Sequence, residues 1–416
     1  MSPTHGRPKS GEPLLEGQAR SARGAVLSLR YGQSISMPVA AVRRALRFLL
    51  PLAALLQLGA CASGSKPPEP TPLVPVANIL TVKETWTQRI GAVPAWFRTA
   101  TLPGAVEVAS ADGEVRRIDA RNGGTVWSAR VAGGISSGVG SDGTFTAVVD
   151  KGNGVVSIGP AGRLLWRYQL PTSVLTPPTV AGGRIVVQGA DQRIWAFEAA
   201  SGKRLWQADN RAASLLVQQA GGMVARGDTL MVGTALGRID AYNLADGLPR
   251  WQATLARPRG VTEVERVVGV TGEPALLGST LCARAYQSAV GCIDADTGRV
   301  LWTRDADGYT GVSMDDREVA GTQSDGEVQA YSAADGVPLW TNSQLKYRDL
   351  SAPLLVGRTV AVGDYQGYIS FLSSKDGSIV GRVATDGSAI AVAPVVVGKT
   401  MVVVTAGGGI FAFVPD

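Results

Sequence analysis

The sequence predicts an all-β fold, an eight-bladed β-propeller of four-stranded antiparallel blades, and three observations predict it. Tryptophan recurs at Trp86, Trp127, Trp166, Trp206, Trp251, Trp302 and Trp340, with spacings of 41, 39, 40, 45, 51 and 38 residues. Several of these tryptophans end the same phrase: FEAASGKRLW (197–206), YNLADGLPRW (242–251), IDADTGRVLW (293–302) and YSAADGVPLW (331–340). Glycine is abundant, 52 of 416 residues, and clusters between short β-branched runs. A period near 40 residues means one supersecondary unit repeated, and repeats decide the fold.

The first sixty residues read as an address. An apolar run, Phe48–Ala60, follows Arg43, Arg44 and Arg47, and is too short to span a bilayer comfortably. A basic region, a short apolar stretch and small residues describe a secretory signal peptide. Arg43-Arg44 matches the twin-arginine export motif poorly. The run closes on Leu58-Gly59-Ala60-Cys61, which resembles the lipobox of bacterial lipoproteins, Leu-Ala/Ser-Gly/Ala-Cys. That resemblance implies diacylglyceryl transfer to Cys61, cleavage before it and acylation of the new N-terminus. Several acyl chains give a lasting anchor, since each buried methylene contributes roughly 0.8 kcal/mol. Ala62, rather than Asp, follows the cysteine, which by the sorting rule of such lipoproteins favours the outer membrane. Met37 would begin a leader of ordinary proportions and is the expected start, with 1–36 an upstream extension.

The address also accounts for the charge. The whole chain carries +6, but eight of its 40 bases and two of its 34 acids lie in residues 1–60. The mature chain from Cys61 keeps 32 of each and is neutral, which removes the main argument for nucleic-acid binding. The only histidine, His5, lies in the same discarded segment, so serine–histidine triads, histidine-ligated zinc and imidazole acid–base chemistry are excluded for the mature protein.

After Cys61, residues 62–76 are rich in Pro and Ser and read as a solvated tether; fifteen extended residues reach about 50 Å. The propeller is expected over 77–416. Within each unit the short runs read as strands joined by tight turns, for example RIVVQG then RIWAFE (184–189, 193–198) and TVAVGD then YISFLS (359–364, 368–373). The Asp/Ser-Gly pair turns the third strand into the fourth, where glycine supplies positive φ. A worn copy, KDGSIV (375–380), places Val380 where the tryptophan is expected. The last strands, TMVVVT and GIFAFV (400–405, 409–414), lack a fourth strand, while Trp86 in KETWTQRIG (83–91) lacks three before it. The N-terminal strand should therefore complete the C-terminal blade and close the ring.

The phrase Asp-Ala-x-Asp/Thr-Gly-x-x-x-Trp resembles the repeat of pyrroloquinoline-quinone (PQQ) dehydrogenases. A lipobox, a tether and eight such blades ending near 416 resemble more closely the BamB family, lipoproteins of the outer-membrane β-barrel assembly machinery. The two longest spacings place extra residues in 209–223 and 256–273, connections that leave an outer strand for the next inner strand and so open on one face as neighbours. They contain Ser214-Leu215-Leu216-Val217-Gln218 and Thr262-Glu263-Val264-Glu265-Arg266. These are similar to the family segments Ser-Leu-x-Leu/Val-Arg and Thr-Glu-Ile/Leu-Asp/Glu-Arg. The resemblance implies docking on the POTRA domains of BamA, with Leu215 and Val217 as apolar anchors and Glu263, Glu265 and Arg266 beside them. Leu216, Gln218 and Thr262 belong to the same expected contact. Gln218 stands where the family favours Arg, and Gly269 and Thr271 where acids often follow. The bland alternative is that Leu215–Val217 is a core strand and the charges a solvated loop. The expected location is the periplasmic face of the outer membrane; exposed blade edges could also meet nascent outer-membrane strands by β-augmentation, a contact nothing in the sequence shows.

Cys282 and Cys292 flank a hairpin centred on Gln287 and stand ten residues apart, so they form either a cross-strand disulfide, which export permits, or two buried thiols. A PQQ-dependent dehydrogenase is the competing function. Such enzymes resemble this chain in repeat but need a cofactor funnel, calcium-ligating acids, a catalytic Asp and mostly an adjacent cysteine pair. No two cysteines adjoin here, and most Asp residues occupy turns. The expectation is a non-catalytic scaffold without cofactor or metal.

Overall fold

The protein is described here by a computed structural model in which residues 68–77, 79–174, 176–210, 221–259, 261–262, 266–390 and 392–416 are placed. Eight four-stranded antiparallel sheets follow one another around a ring. Blade one is built from Ala100–Leu102, Ala105–Ala109, Glu114–Asp119 and Thr125–Arg130, counted from the axis outward. Blades two to seven repeat the order. Blade eight takes Val395–Val397, Thr400–Val404 and Gly409–Pro415 from the C-terminus and its outer strand, Val82–Arg89, from the N-terminus. That strand pairs from Val82 opposite Pro415 to Arg89 opposite Gly409, closing the ring as the sequence predicts.

Burial follows position in the blade. Second and third strands have both faces covered by neighbouring blades, so Thr400–Val404 and Gly154–Ile158 are buried throughout. Such strands need continuous apolar, β-branched runs rather than alternation. Outer strands are covered on one face only, and Thr125–Arg130 buries Trp127 and Ala129 while exposing the residues between.

The tryptophans lock each blade to the next. Trp206 of blade four's predecessor lies on Gly247, where an added Cβ would sit 2.6 Å from the indole. Its Nε1 donates to the Leu244 carbonyl at 3.0 Å in the same turn. The seating recurs with Trp86 on Gly123, Trp127 on Gly162, Trp166 on Gly202, Trp251 on Gly298, Trp302 on Gly336 and Trp340 on Gly377. The repeated Gly therefore has two tasks: positive φ for its own turn and a bare surface for the preceding blade's ring.

The worn copy requires a correction. In each of blades one to six the outer strand carries a bulge, and the tryptophan is the residue immediately after it, as where Ala330 pairs with Trp340 and Tyr331 with Pro338. In blade seven Phe371 pairs with Gly381 and Leu372 with Ile379, so Val380 is the bulged residue and Gly381 holds the tryptophan's place. Gly381 also keeps the four-residue step from Gly377 that separates Gly336 from Trp340. A tryptophan there would have no seat, because blade eight's third and fourth strands are joined by no turn but by the two chain ends.

The proline-rich segment departs from a free tether over its second half. Thr71 N–H donates to the Lys346 carbonyl at 3.0 Å, and Arg348 Nη1 donates to the Thr71 carbonyl at 3.1 Å. Arg382 Nη1 donates to the Val74 carbonyl at 2.9 Å, and Leu73 packs on the core of blades six and seven.

Candidate partner-binding face

A propeller has two faces. One carries the turns within blades from first to second and from third to fourth strand. The other carries the second-to-third turns and the connections between blades, and residues 209–223 and 256–273 belong to connections of this second kind. Their bases are tied together. Gly221 N–H donates to the Val270 carbonyl at 3.0 Å, and a Cβ on Gly222 would lie 1.9 Å from the Gly272 carbonyl oxygen. The glycines at 221 and 222 thus let the first strand of blade four approach that of blade five and bring the bases of the two connections side by side.

Of the residues singled out from sequence, Leu215, Leu216, Val217, Gln218, Glu263 and Glu265 lie outside the described residues, as does Cys61. Thr262 and Arg266 are placed and exposed, with Val261 beside them at 95% exposure. Arg257 and Arg259, which sequence reasoning passed over, are exposed in the same connection. Gly269 and Thr271 are not on the surface. Gly269 accepts the Tyr286 N–H at 2.9 Å, and Thr271 is buried opposite Arg284. Replacement of acids at these two positions therefore belongs to the interior of blade five, not to a surface charge pair.

Cys282 and Cys292 stand directly opposite each other on the second and third strands of blade five, with Cα atoms 4.1 Å apart and their sulfurs bonded. Both are buried in the seam with blade six, among Val290, Trp302 and Val319, away from the axis. Close by, Arg284 is fully buried with one hydrogen bond, Nη1 to Gln323 Oε1 at 3.3 Å, and burial brings its pKa down to about 10.

The axis holds a cavity of about 370 Å³ lined largely by apolar groups, including Trp96, Phe97, Met223, Val312, Leu350 and Val392. Arg98 at the start of blade one reaches Glu273 of blade five, its diametric opposite, at 2.8 Å, so an ion pair bridges the shaft. The other acid there, Asp349, accepts the Tyr309 hydroxyl at 2.7 Å; burial and this carboxylate raise the tyrosine's pKa. With both carboxylates committed, these residues do not fit a quinone with its calcium ion, which would require acids free to ligate the metal.

The fold and this face define an eight-bladed propeller of PQQ-like repeats whose elaboration lies in the loops of one face rather than on the axis. A family model described as "Outer membrane protein assembly factor BamB" matches residues 111–342 and 324–415. The chain is 42% identical over 366 residues to the outer membrane protein assembly factor BamB of Burkholderia pseudomallei (strain K96243), covering 87% of this chain and 96% of that one. To the protein of the same name from Bordetella pertussis it is 33% identical over 372 residues, 88% and 96% of the two chains. The crystal structure of BamB from Moraxella catarrhalis matches the fold with a TM-score of 0.73 at 24% identity, over 80% of this chain and 100% of that one. The quinohemoprotein alcohol dehydrogenase of Comamonas testosteroni shares the fold at a TM-score of 0.65 and 13% identity, over 81% and 77%. The chain belongs to the BamB family of outer membrane protein assembly factors.

Proposed function

We propose that this chain is a non-catalytic scaffold lipoprotein of the β-barrel assembly machinery, held at the periplasmic face of the outer membrane through Cys61. Its loop-bearing face docks the POTRA domains of BamA and so assists assembly of outer-membrane β-barrels. One observation carries the site: the connections 209–223 and 256–273, the longest in the repeat, are tied at their bases by the Gly221–Val270 hydrogen bond. Two segments separated in sequence thereby start from one place on the ring. In the sequence of these two connections an apolar pair, Leu215 and Val217, comes with charges of both signs, Arg257, Arg259, Glu263, Glu265 and Arg266, a composition that suits a partner with an apolar patch rimmed by mixed charge. The bridge across the shaft by Arg98 and Glu273 supports a scaffold over a PQQ-dependent enzyme.

The test is the double variant Leu215→Ser with Arg266→Ala. Both positions are on connections, so the far-UV spectrum and melting temperature should stay at wild-type values while BamA recovered by pull-down falls at least about tenfold, the loss of roughly 1.4 kcal/mol. Unchanged recovery removes this face from the interface. Intact mass of the membrane-extracted protein reads the acyl chains on Cys61 independently.

A further inference from the structure

The segment before the first strand is a strap, and it decides on which face the membrane anchor leaves the ring. The outer strand of blade eight begins at Val82 opposite Pro415, at the end of the blade away from the partner-binding loops. A chain that became free just before Val82 would leave from that far face. Instead, Ile79 and Leu80 donate their backbone N–H groups to the Val380 carbonyl at 2.9 and 3.0 Å, at the near end of blade seven's outer strand, Ile379–Ala384. Going back along the chain, Val74 is held by Arg382 and Thr71 by Lys346 and Arg348. Lys346 and Arg348 lie between the outer strand of blade six and the inner strand of blade seven, a connection of the same kind as 209–223 and 256–273. The strap therefore crosses the whole height of blade seven and ends on the loop-bearing face, three blades around the ring from blade four.

Two observations show that the crossing is built in. Gly381 is the residue that replaces tryptophan in blade seven, and a Cβ there would sit 2.6 Å from the Leu80 carbonyl oxygen. The strap thus fills the seat that a Trp–Gly pair fills at every other seam. At the far end the holding group is not a surface side chain: Arg348 is 2% exposed and is itself fixed by Asp364 at 2.7 Å.

We propose that the strap Thr71–Leu80 turns the loop-bearing face toward the lipid bilayer, so that a partner docked there is a membrane-proximal one. This rests on the reading of Cys61 as the lipid anchor. From Cys61 to Pro68 is seven residue steps, at most about 25 Å, whereas an unstrapped chain to Val82 would span about 70 Å and leave from the opposite face.

The experiment fixes the anchor chemically. The mature chain from Cys61 is coupled through that thiol to maleimide-phosphatidylethanolamine in phosphatidylethanolamine/phosphatidylglycerol vesicles carrying a rhodamine acceptor lipid. A donor dye is placed through p-azidophenylalanine either at Ala384, at the loop-face end of blade seven, or at Lys375, at its other end. Energy transfer from position 384 should exceed that from 375 at least about twofold; equal or reversed transfer overturns the proposal. Gly381→Leu should erase or invert the difference, and the pair Leu73→Gly with Arg382→Ala, which removes two holds on the strap at the cost of a hydrogen bond within blade seven, from Arg382 Nε to Ser370 Oγ, should do the same if Gly381→Leu fails to fold. A difference that survives in a folded strap variant also overturns it. Because coupling replaces natural acylation, a native protein whose mass lacks acyl chains refutes the anchor reading and leaves the orientation result standing.

Discussion

Gly247 and Gly357 show what one residue decides. Both have positive φ, +75° and +63°, so both strain any side chain placed there. A Cβ at Gly357 meets nothing within 4 Å, whereas at Gly247 it enters the ring of Trp206 at 2.6 Å. Gly357→Ala should therefore cost only backbone strain, about 1 kcal/mol. Gly247→Ala should add displacement of a buried indole and cost about 3 kcal/mol or more. Urea unfolding of the two variants checks the ordering, and equal losses would mean that the Trp–Gly seat contributes nothing beyond turn geometry. The aspartate or serine before Gly202, Gly247, Gly336 and Gly377 was legible from sequence as a turn residue, but the ring seated on the glycine was not, since it comes from a residue about 40 positions earlier.

Within the elements, the hairpin of blade five carries the staple. Its register sets Cys282 against Cys292 in a seam already packed with Val290, Val319 and Trp302. Closing a loop of about ten residues should contribute about 2–3 kcal/mol by restricting the unfolded chain. Denatured without reductant, the mature protein should show no titratable thiol at these positions. The double variant Cys282→Ala, Cys292→Ala should unfold at lower urea by that amount. Two free thiols on the unreduced chain would contradict the bond. The spacing of ten residues across a three-residue turn set the two positions face to face in the sequence but left a bond and two buried thiols both open. The pair's place in a seam rather than on the axis depended on which face of the strand meets blade six.

For the whole molecule, stability depends on closure. Blade eight draws its outer strand from the far end of the chain, and Trp86 on that strand locks onto Gly123 of blade one. A chain beginning at Ile90 exposes the strand Gly409–Pro415 as an unpaired edge and loses one lock of the ring. Its melting temperature should drop by about 10 °C or more, or its cooperative transition should vanish. The peptide Val82–Arg89 added in trans should restore the transition, and the same peptide with Trp86→Ala should restore it less. No change on truncation would mean that the ring does not need its N-terminal strand.

The sequence by itself determined the four-strand unit and its turn chemistry, because these are written in local spacing and repeated around the ring, and the count of units with one strand left over at each end determined the number of blades and the closing strand. It located Thr262 and Arg266 on an exposed connection, and it misplaced the worn tryptophan by one residue because the 40-residue period varies from blade to blade, whereas the four-residue step from the turn glycine, Gly377 to Gly381, does not. Only the tertiary structure decided that Gly269 and Thr271 are interior, that Arg98 meets Glu273 across the axis, and that the proline-rich segment is a strap. Each of these joins groups far apart in sequence, where contact is set by how blades close into a ring and not by any local pattern. Gly381 is the one trace of the strap left in the sequence: a missing tryptophan whose reason appears only when Leu80 is found in its place.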